Sequence, residues 1–441
     1  MAIRLINLRW LVAVAVVFAA GVVLFAAING GSDGVGGSSD GASGGDGGVI
    51  AHPRTTDELI ASLQATVRAH PDNAGEYVLL ADAYMQKVRE TGDAGYYARA
   101  EGVLALARRI DPRSSALYTG LGTLALARHD FRGALHYGQR AHALAPDLVR
   151  PLGVLVDAEV ELGRYGAAAR MLQRMLDAKP NLASYSRTSY LRELHGDLSG
   201  AASAMRLAVD AGGAAPENVA YVQALLGQLE LTRGRLGAAG HAYRLALYSF
   251  PGYAPAEAGL ARVDAARGRL GPAIERLREV VQRLPLPEYV IALGDAELAA
   301  GRPAQARTDF DLVRAEQKLL AANGVNTDTE MAVFEADHGS SGRAVRLARR
   351  AWANAPSVRS ADALGWALTA ARRPMAGLAW AHRALRLGSR DPLFLYHAGM
   401  AARAAGQDVE ARTLLRRALS LNAHFSPLYA PRAQRALRRL G

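Results

Sequence analysis

An all-α solenoid is predicted, built from about ten stacked helix–turn–helix units and preceded by one apolar helix near the N-terminus. Three observations predict it: a turn glycine recurs along the chain, a small residue follows it at a fixed distance, and the composition suits tightly packed helices. Of the 441 residues, 50% are hydrophobic but only 6% aromatic, so Ala and Leu must supply most of the core. Such residues favour closely approaching helices over a pleated sheet. The formal charge of +11 is carried almost wholly by Arg, because Lys87, Lys179 and Lys318 are the only lysines. That bias reflects GC-rich coding as readily as a polyanionic partner. With no cysteine, disulfides, thiolate nucleophiles and Cys-ligated zinc are all excluded.

After a short basic N-terminus (1–9), residues 10–28, WLVAVAVVFAAGVVLFAAI, carry no charge. As a helix they would span roughly 28 Å, close to the ~30 Å hydrocarbon core of a bilayer. Trp10 stands at one edge, Arg4 and Arg9 precede the segment, and Asp33, Asp40 and Asp46 follow it. That asymmetry predicts a single-pass anchor with the N-terminus in the cytoplasm and the bulk of the chain on the extracytoplasmic side. The competing reading is secretion after signal-peptide cleavage, although LFAAING offers no clean small-x-small site. Residues 29–53, NGGSDGVGGSSDGASGGDGGVIAHP, have little to bury and read as a flexible tether reaching on the order of 25–30 Å. A phosphate-binding loop is excluded, because no strand precedes the glycines and no GK[ST] or GxGxxG opens a helix after them.

Residues 54–425 carry the repeat, after a first helix expected over Thr56 to Ala69. A turn glycine recurs at Gly163, Gly196, Gly234, Gly268, Gly301, Gly339 and Gly406, with Arg372 once in its place. Five residues on comes a small residue: Ala168, Ala201, Ala239, Ala273, Ala306, Ala344, Gly377 or Ala411. Twelve beyond that small residue stands Pro180, Pro251, Pro285 or Pro356, and the same ladder extends back to Ala134 and Pro146. Glycine permits the positive φ of a tight turn, the small residue lets two helices approach, and proline ends the second helix by lacking a donor.

These segments resemble tetratricopeptide repeats. In LYTGLGTLALARHDFRGALHYGQRAHALAP (117–146) the family's pattern is met by Tyr118, Leu121, Gly122, Ala134, Ala141 and Pro146. About ten units fit over residues 74–425, and residues 426–441 form a polar capping helix of the kind an array needs. The regular plan is interrupted at RETGDAGY, at GGAAPEN (212–218) and at AANGVN (321–326).

The resemblance implies a protein or peptide partner held on a concave surface lined by the first helices. The expected partner-binding residues are Asp157, Tyr190, Gln228, Arg262, Asp295, Asp362, Trp366 and Tyr396, with Trp366 and Tyr396 as the aromatic anchors. The series Asp82, Thr123, Asp157, Tyr190, Gln228, Arg262, Asp295, Val333, Trp366, Met400 lacks the Lys and Asn pattern with which some family members clamp a peptide's terminal carboxylate. Neither enzyme activity nor any cofactor or metal is expected. The histidines are scattered, no HExxH occurs, and GSSG (339–342) lacks the order that exposes a serine nucleophile. Membrane contact is expected through the N-terminal helix, and no small-molecule substrate. Two other functions fit: a recruiting or regulatory subunit of a membrane or envelope complex, and binding of anionic lipid or another polyanion by the arginines of 343–352, 381–390 and 413–422. Nucleic acid is disfavoured, because no aromatic stacking platform interleaves those arginines.

AANGVNTDTEMAVFEADHGSSG (321–342) looks like a site because it gathers Asn323, Asn326, Asp328, Glu330, Glu335, Asp337 and His338. In register it is one more first helix with an unusual entrance that bends the array. Thr327 and Glu330 have capping-box spacing, and Gly339 occupies the turn slot. Asp337 and His338 are adjacent on a helix and point apart, a poor geometry for joint ligation. Recurrent Glu159, Glu230, Asp264, Glu297 and Glu335 are expected to pair with the turn arginines Arg164, Arg235, Arg269 and Arg302.

Overall fold

The computed structural model describes residues 55–213 and 215–441. The apolar segment 10–28 and the linker 29–53 lie outside them. Among the described residues no helix is long and apolar enough to cross a membrane, and no strand occurs. A leading helix α1 (Thr56–Ala69) has the bounds the sequence predicts. Ten hairpins follow: α2 (Ala74–Thr91) with α3 (Gly95–Ile110), α4 (Ser115–Ala127) with α5 (Phe131–Leu144), α6 (Val149–Glu161) with α7 (Tyr165–Ala178), α8 (Leu182–Leu194) with α9 (Leu198–Asp210), and α10 (Pro216–Thr232) with α11 (Leu236–Ser249). Then come α12 (Ala254–Ala266) with α13 (Leu270–Arg283), α14 (Pro287–Ala299) with α15 (Pro303–Ala322), α16 (Asp328–His338) with α17 (Ser341–Asn354), α18 (Val358–Ala370) with α19 (Pro374–Ala384), and α20 (Pro392–Ala404) with α21 (Asp408–Leu421). The array ends on α22 (Tyr429–Arg439).

The repeat chemistry explains these joints. Gly163, Gly196, Gly234, Gly268, Gly301 and Gly406 turn with φ between 71° and 78°. Arg372 adopts φ 56° in the glycine's place, and His129 does the same at 59° between α4 and α5. Gly339 departs from this plan: its φ is −141°, so the α16–α17 joint is not a left-handed turn. Glu335 instead accepts the Ser340 N–H at 3.0 Å, anchoring an extended connection. The small residues Ala134, Ala168, Ala201, Ala239, Ala273, Ala306, Ala344 and Ala411 are fully buried. Where α18 meets α19, a Cβ on Gly377 would lie 2.9 Å from the Gly365 carbonyl, so only glycine permits that approach. The prolines stand two residues beyond their helices, as Pro251 does after Ser249.

Two of the irregular stretches differ from expectation. Pro216–Asn218 open α10 rather than extending a loop, because proline is favoured at a first helical position. The extra residues before α16 are mostly helical, since α15 runs on to Ala322 over 20 residues. The Thr327–Glu330 capping box does not form. Asn326 takes over, its Oδ1 accepting from the Asp328 N–H at 3.0 Å, while Thr327 is buried. The acidic slot behaves largely as expected: Glu159 meets Arg164 at 3.5 Å, Glu230 meets Arg235 at 3.8 Å, and Asp264 pairs with Arg269. Glu297 instead pairs with Arg278 at 2.5 Å, and Arg302 supplies only a backbone N–H to the Glu297 carbonyl at 2.8 Å.

Successive turns of the superhelix stack on one another in a regular register. The α4–α5 turn meets the loop before α16: the Asn326 N–H donates to Arg128 O at 3.0 Å, and His129 Nδ1 lies 2.6 Å from Asn326 O. One unit later, the Val358 N–H donates to the Tyr165 hydroxyl at 2.9 Å, and Gly163 packs on the Pro356 carbonyl. Gly196 packs on Gly388 in the same way, and Asn422 Nδ2 donates to Leu231 O at 2.7 Å. Each contact thus joins the turn of one hairpin to the loop that follows the hairpin five further along. Hydrophobic groups seal the seam, with Leu387 and Phe394 packed against Tyr165 and Leu194.

Candidate functional site in the superhelix lumen

Winding this tight narrows the concave face to a lumen, and its early part is filled by ionic contacts. Asp82 accepts from Arg150 Nη2 at 2.8 Å. Buried Glu217, at the start of α10, accepts from Gln86 Nε2 of α2 at 2.9 Å and from the Tyr253 hydroxyl at 3.2 Å. Asp157 is clamped by Arg187, whose Nε and Nη2 donate to its two oxygens at 2.9 and 2.8 Å. Both side chains are buried. Burial pushes the Asp157 carboxyl up to about 6, the guanidinium limiting the rise.

The late lumen contains open space. One chamber of about 280 Å³ lies between α8, α9 and α10 on one side and the 389–394 segment with Arg359 on the other. A second, of about 330 Å³, lies between α10, α12 and α14 and the segments 391–393 and 422–429. Gln228, Thr232, Asp391 and Leu393 line both, so the two are neighbours across shared walls.

The sequence-predicted residues divide accordingly. Tyr190 lines the first chamber, Gln228 both, and Arg262 and Asp295 the second. Arg262 Nη1 donates to Gln228 Oε1 at 3.1 Å, and His338 Nε2 stands 3.0 Å from Asp295. The other four do not line these chambers. Asp157 belongs to its pair with Arg187. Asp362 is buried, with Oδ2 2.9 Å from His397 Nδ1. Trp366 stacks on His397 at 4.4 Å between centroids and donates to Asp337 Oδ1 at 2.9 Å. Tyr396 is buried and stacks on Tyr429 at 5.3 Å. Spacing places Asp157, Asp362 and Tyr396 on an open groove; side chains of the adjacent units, Arg187, His397 and Tyr429, cover them instead. Asp337 and His338 do point apart, one toward Trp366 and the other toward Asp295.

Several chamber residues were not expected. Glu193, three residues after Tyr190, lines the first chamber, and Glu288, seven before Asp295, lines the second. Burial pushes each carboxyl up to about 7; Asp391 adds to the rise at Glu193, while Arg262 limits it at Glu288. Their spacing on the first helices, one or two turns from expected residues, was the available signal. Asp391 and Arg359 come from the far side of the lumen and carry none. Asp391 accepts from the Leu393 and Phe394 N–H groups at 2.7 and 3.1 Å, capping α20. Arg359 faces Glu330 at 3.8 Å and is further balanced by Glu161, with the neutral Tyr190 hydroxyl as a hydrogen-bond partner. Among the described residues no group of three or more His, Asp or Glu could hold a metal ion.

Over one part of its length the chain matches a known repeat family. Residues 125–188 match the family model described as Tetratricopeptide repeat. That window contains α5, α6 and α7 entire. No curated protein matches the chain. Among solved structures it is similar to one described as a crystal structure of the APC/C hetero-tetramer Cut9–Hcn1, at 14% identity over 87% of this chain and 93% of that one, with a TM-score of 0.34. At that identity and superposition the likeness carries no functional weight.

Proposed function

We propose that the chain is a membrane-tethered, non-catalytic scaffold that holds an extended segment of a partner protein in the late lumen. The observation that carries this reading is the pair of neighbouring chambers lined by successive first helices, with Tyr190, Gln228, Arg262 and Asp295 on their walls. The tetratricopeptide match over 125–188 supports a protein-interaction role, and the uncharged run 10–28 supports the tether. Tethering raises the effective concentration of the scaffold toward membrane partners without any new contact. In this reading the solenoid lies on the extracytoplasmic side, and it does no chemistry of its own.

A photo-crosslinking residue at Gln228 or Arg262, introduced in intact cells, tests the binding surface. The reading expects capture of a discrete protein set from these positions and none from Arg416 on the outer face. Capture from Arg416 alone would contradict it. Protease digestion of spheroplasts tests the topology: degradation of the solenoid without lysis is expected, and full protection would reverse the assignment.

A further inference from the structure

We propose that the chamber walled by Ser189, Glu193 and Asp391 receives a cationic side chain, the ammonium or guanidinium of a Lys or Arg on the bound segment. This deepens the scaffold reading and rests on it. The space measures about 280 Å³, enough for one long side chain and some water. Leu225, Leu229, Leu393 and Phe394 line it and give an aliphatic stem apolar surface to lie against. Ser189 lines the chamber and is 1% exposed, and its Oγ has no hydrogen-bond partner among the described residues. A buried hydroxyl without a partner costs free energy until something supplies one. An ammonium or guanidinium N–H would donate to it.

The charge balance points the same way. Glu193 and Asp391 both line this chamber, and Asp391's described bonds are to backbone N–H groups. Arg359, also on the wall, is already opposed by Glu161 and Glu330. Arg390 at the edge is exposed to solvent. Arg359, shared among Glu161, Glu330 and Glu193, therefore leaves the chamber with carboxylate charge only partly offset, and burial raises the proton affinity of both acids. A ligand cation provides, with directed hydrogen bonds, the neutralisation that a proton otherwise supplies.

The test uses full-length protein in detergent and four pools of 15-residue peptides. The pools are randomised except at the central position, which is fixed as Lys, Arg, norleucine or Glu. Retention of the Lys and Arg pools at least about tenfold above the other two is expected, a difference of about 1.4 kcal/mol. Glu193→Gln should erase that preference, Glu193→Lys should turn it toward the Glu pool, and Ser189→Ala should weaken it while leaving the melting midpoint near wild type. Equal retention of all four pools, or a Lys and Arg preference unchanged in Glu193→Gln and Asp391→Asn proteins that melt normally, overturns the cation site but leaves the scaffold reading. Failure to retain any pool overturns both.

Discussion

On the outer face of the superhelix Arg349, Arg416 and Arg417 stand in solvent, whereas on the inner face Asp157, Glu193 and Glu288 sit where burial opposes their ionisation. Both faces belong to the same hairpins and repeat with the same period. The difference arises because stacked turns exclude water from one face only, and a charge removed from water must find a partner, a proton or a ligand. Solvated arginines such as Arg349 and Arg416 are therefore cheap to replace, whereas the buried acids of the first helices weigh on stability.

The largest effect expected from breaking that contrast is at Asp157. Arg187→Ala leaves a buried carboxylate unpaired and should destabilise region 54–441 by about 3–5 kcal/mol in urea unfolding. A loss below about 1 kcal/mol would mean that water reaches the pair. The seam between turns comes next. Asn422→Ala removes the side-chain donor to the Leu231 carbonyl, which keeps the Gly234 N–H, and the acceptor of the His424 N–H, and should cost about 1–2 kcal/mol.

A smaller effect, with a definite sign, concerns Glu288. Burial raises its carboxyl from 4.5 to about 7 in the folded state. Because the folded value lies above the unfolded one, its contribution is complete below about pH 4.5 and is lost as pH rises through about 7. Glu288→Gln should thus match wild type near pH 4.5 and exceed it at pH 8 by about 1 kcal/mol, well short of the ~3 kcal/mol of the full shift because the carboxylate is only half-buried and stays partly solvated, read as a pH-dependent gap in melting midpoint. A gap independent of pH would show that the carboxyl titrates in the folded protein as it does in the unfolded chain. The smallest effect is on the outer face, where Arg349→Gln and Arg416→Gln should change stability by no more than about 0.5 kcal/mol.

Much of the fold was legible because each joint depends on a local rule. Glycine for a positive φ, a small residue for close approach and proline to end a helix act within one unit, so the sequence shows them repeatedly. Gly339 is misleading because Glu335 supplies the joint with a bond that no glycine pattern reveals. His129 is hidden for the converse reason: its left-handed turn is held against Asn326, 197 residues away. The site was half legible. Residues spaced along one helix face, such as Tyr190 and Gln228, fell on the chamber walls. Asp391, Arg359 and the loop at 422–429 come from the next superhelical turn, and the pitch that brings them there is the sum of many small interhelix angles.

The stacking of turns is the claim on which the lumen depends, and the absence of cysteine makes it directly measurable. Spin labels on Arg235→Cys and Ser420→Cys flank the Leu231–Asn422 contact. Electron–electron dipolar spectroscopy should give one narrow, short-distance population, collapsing to a broad long-distance one only in denaturant. A broad or long distribution in the native protein would mean an open spring with an accessible groove, and would contradict the account.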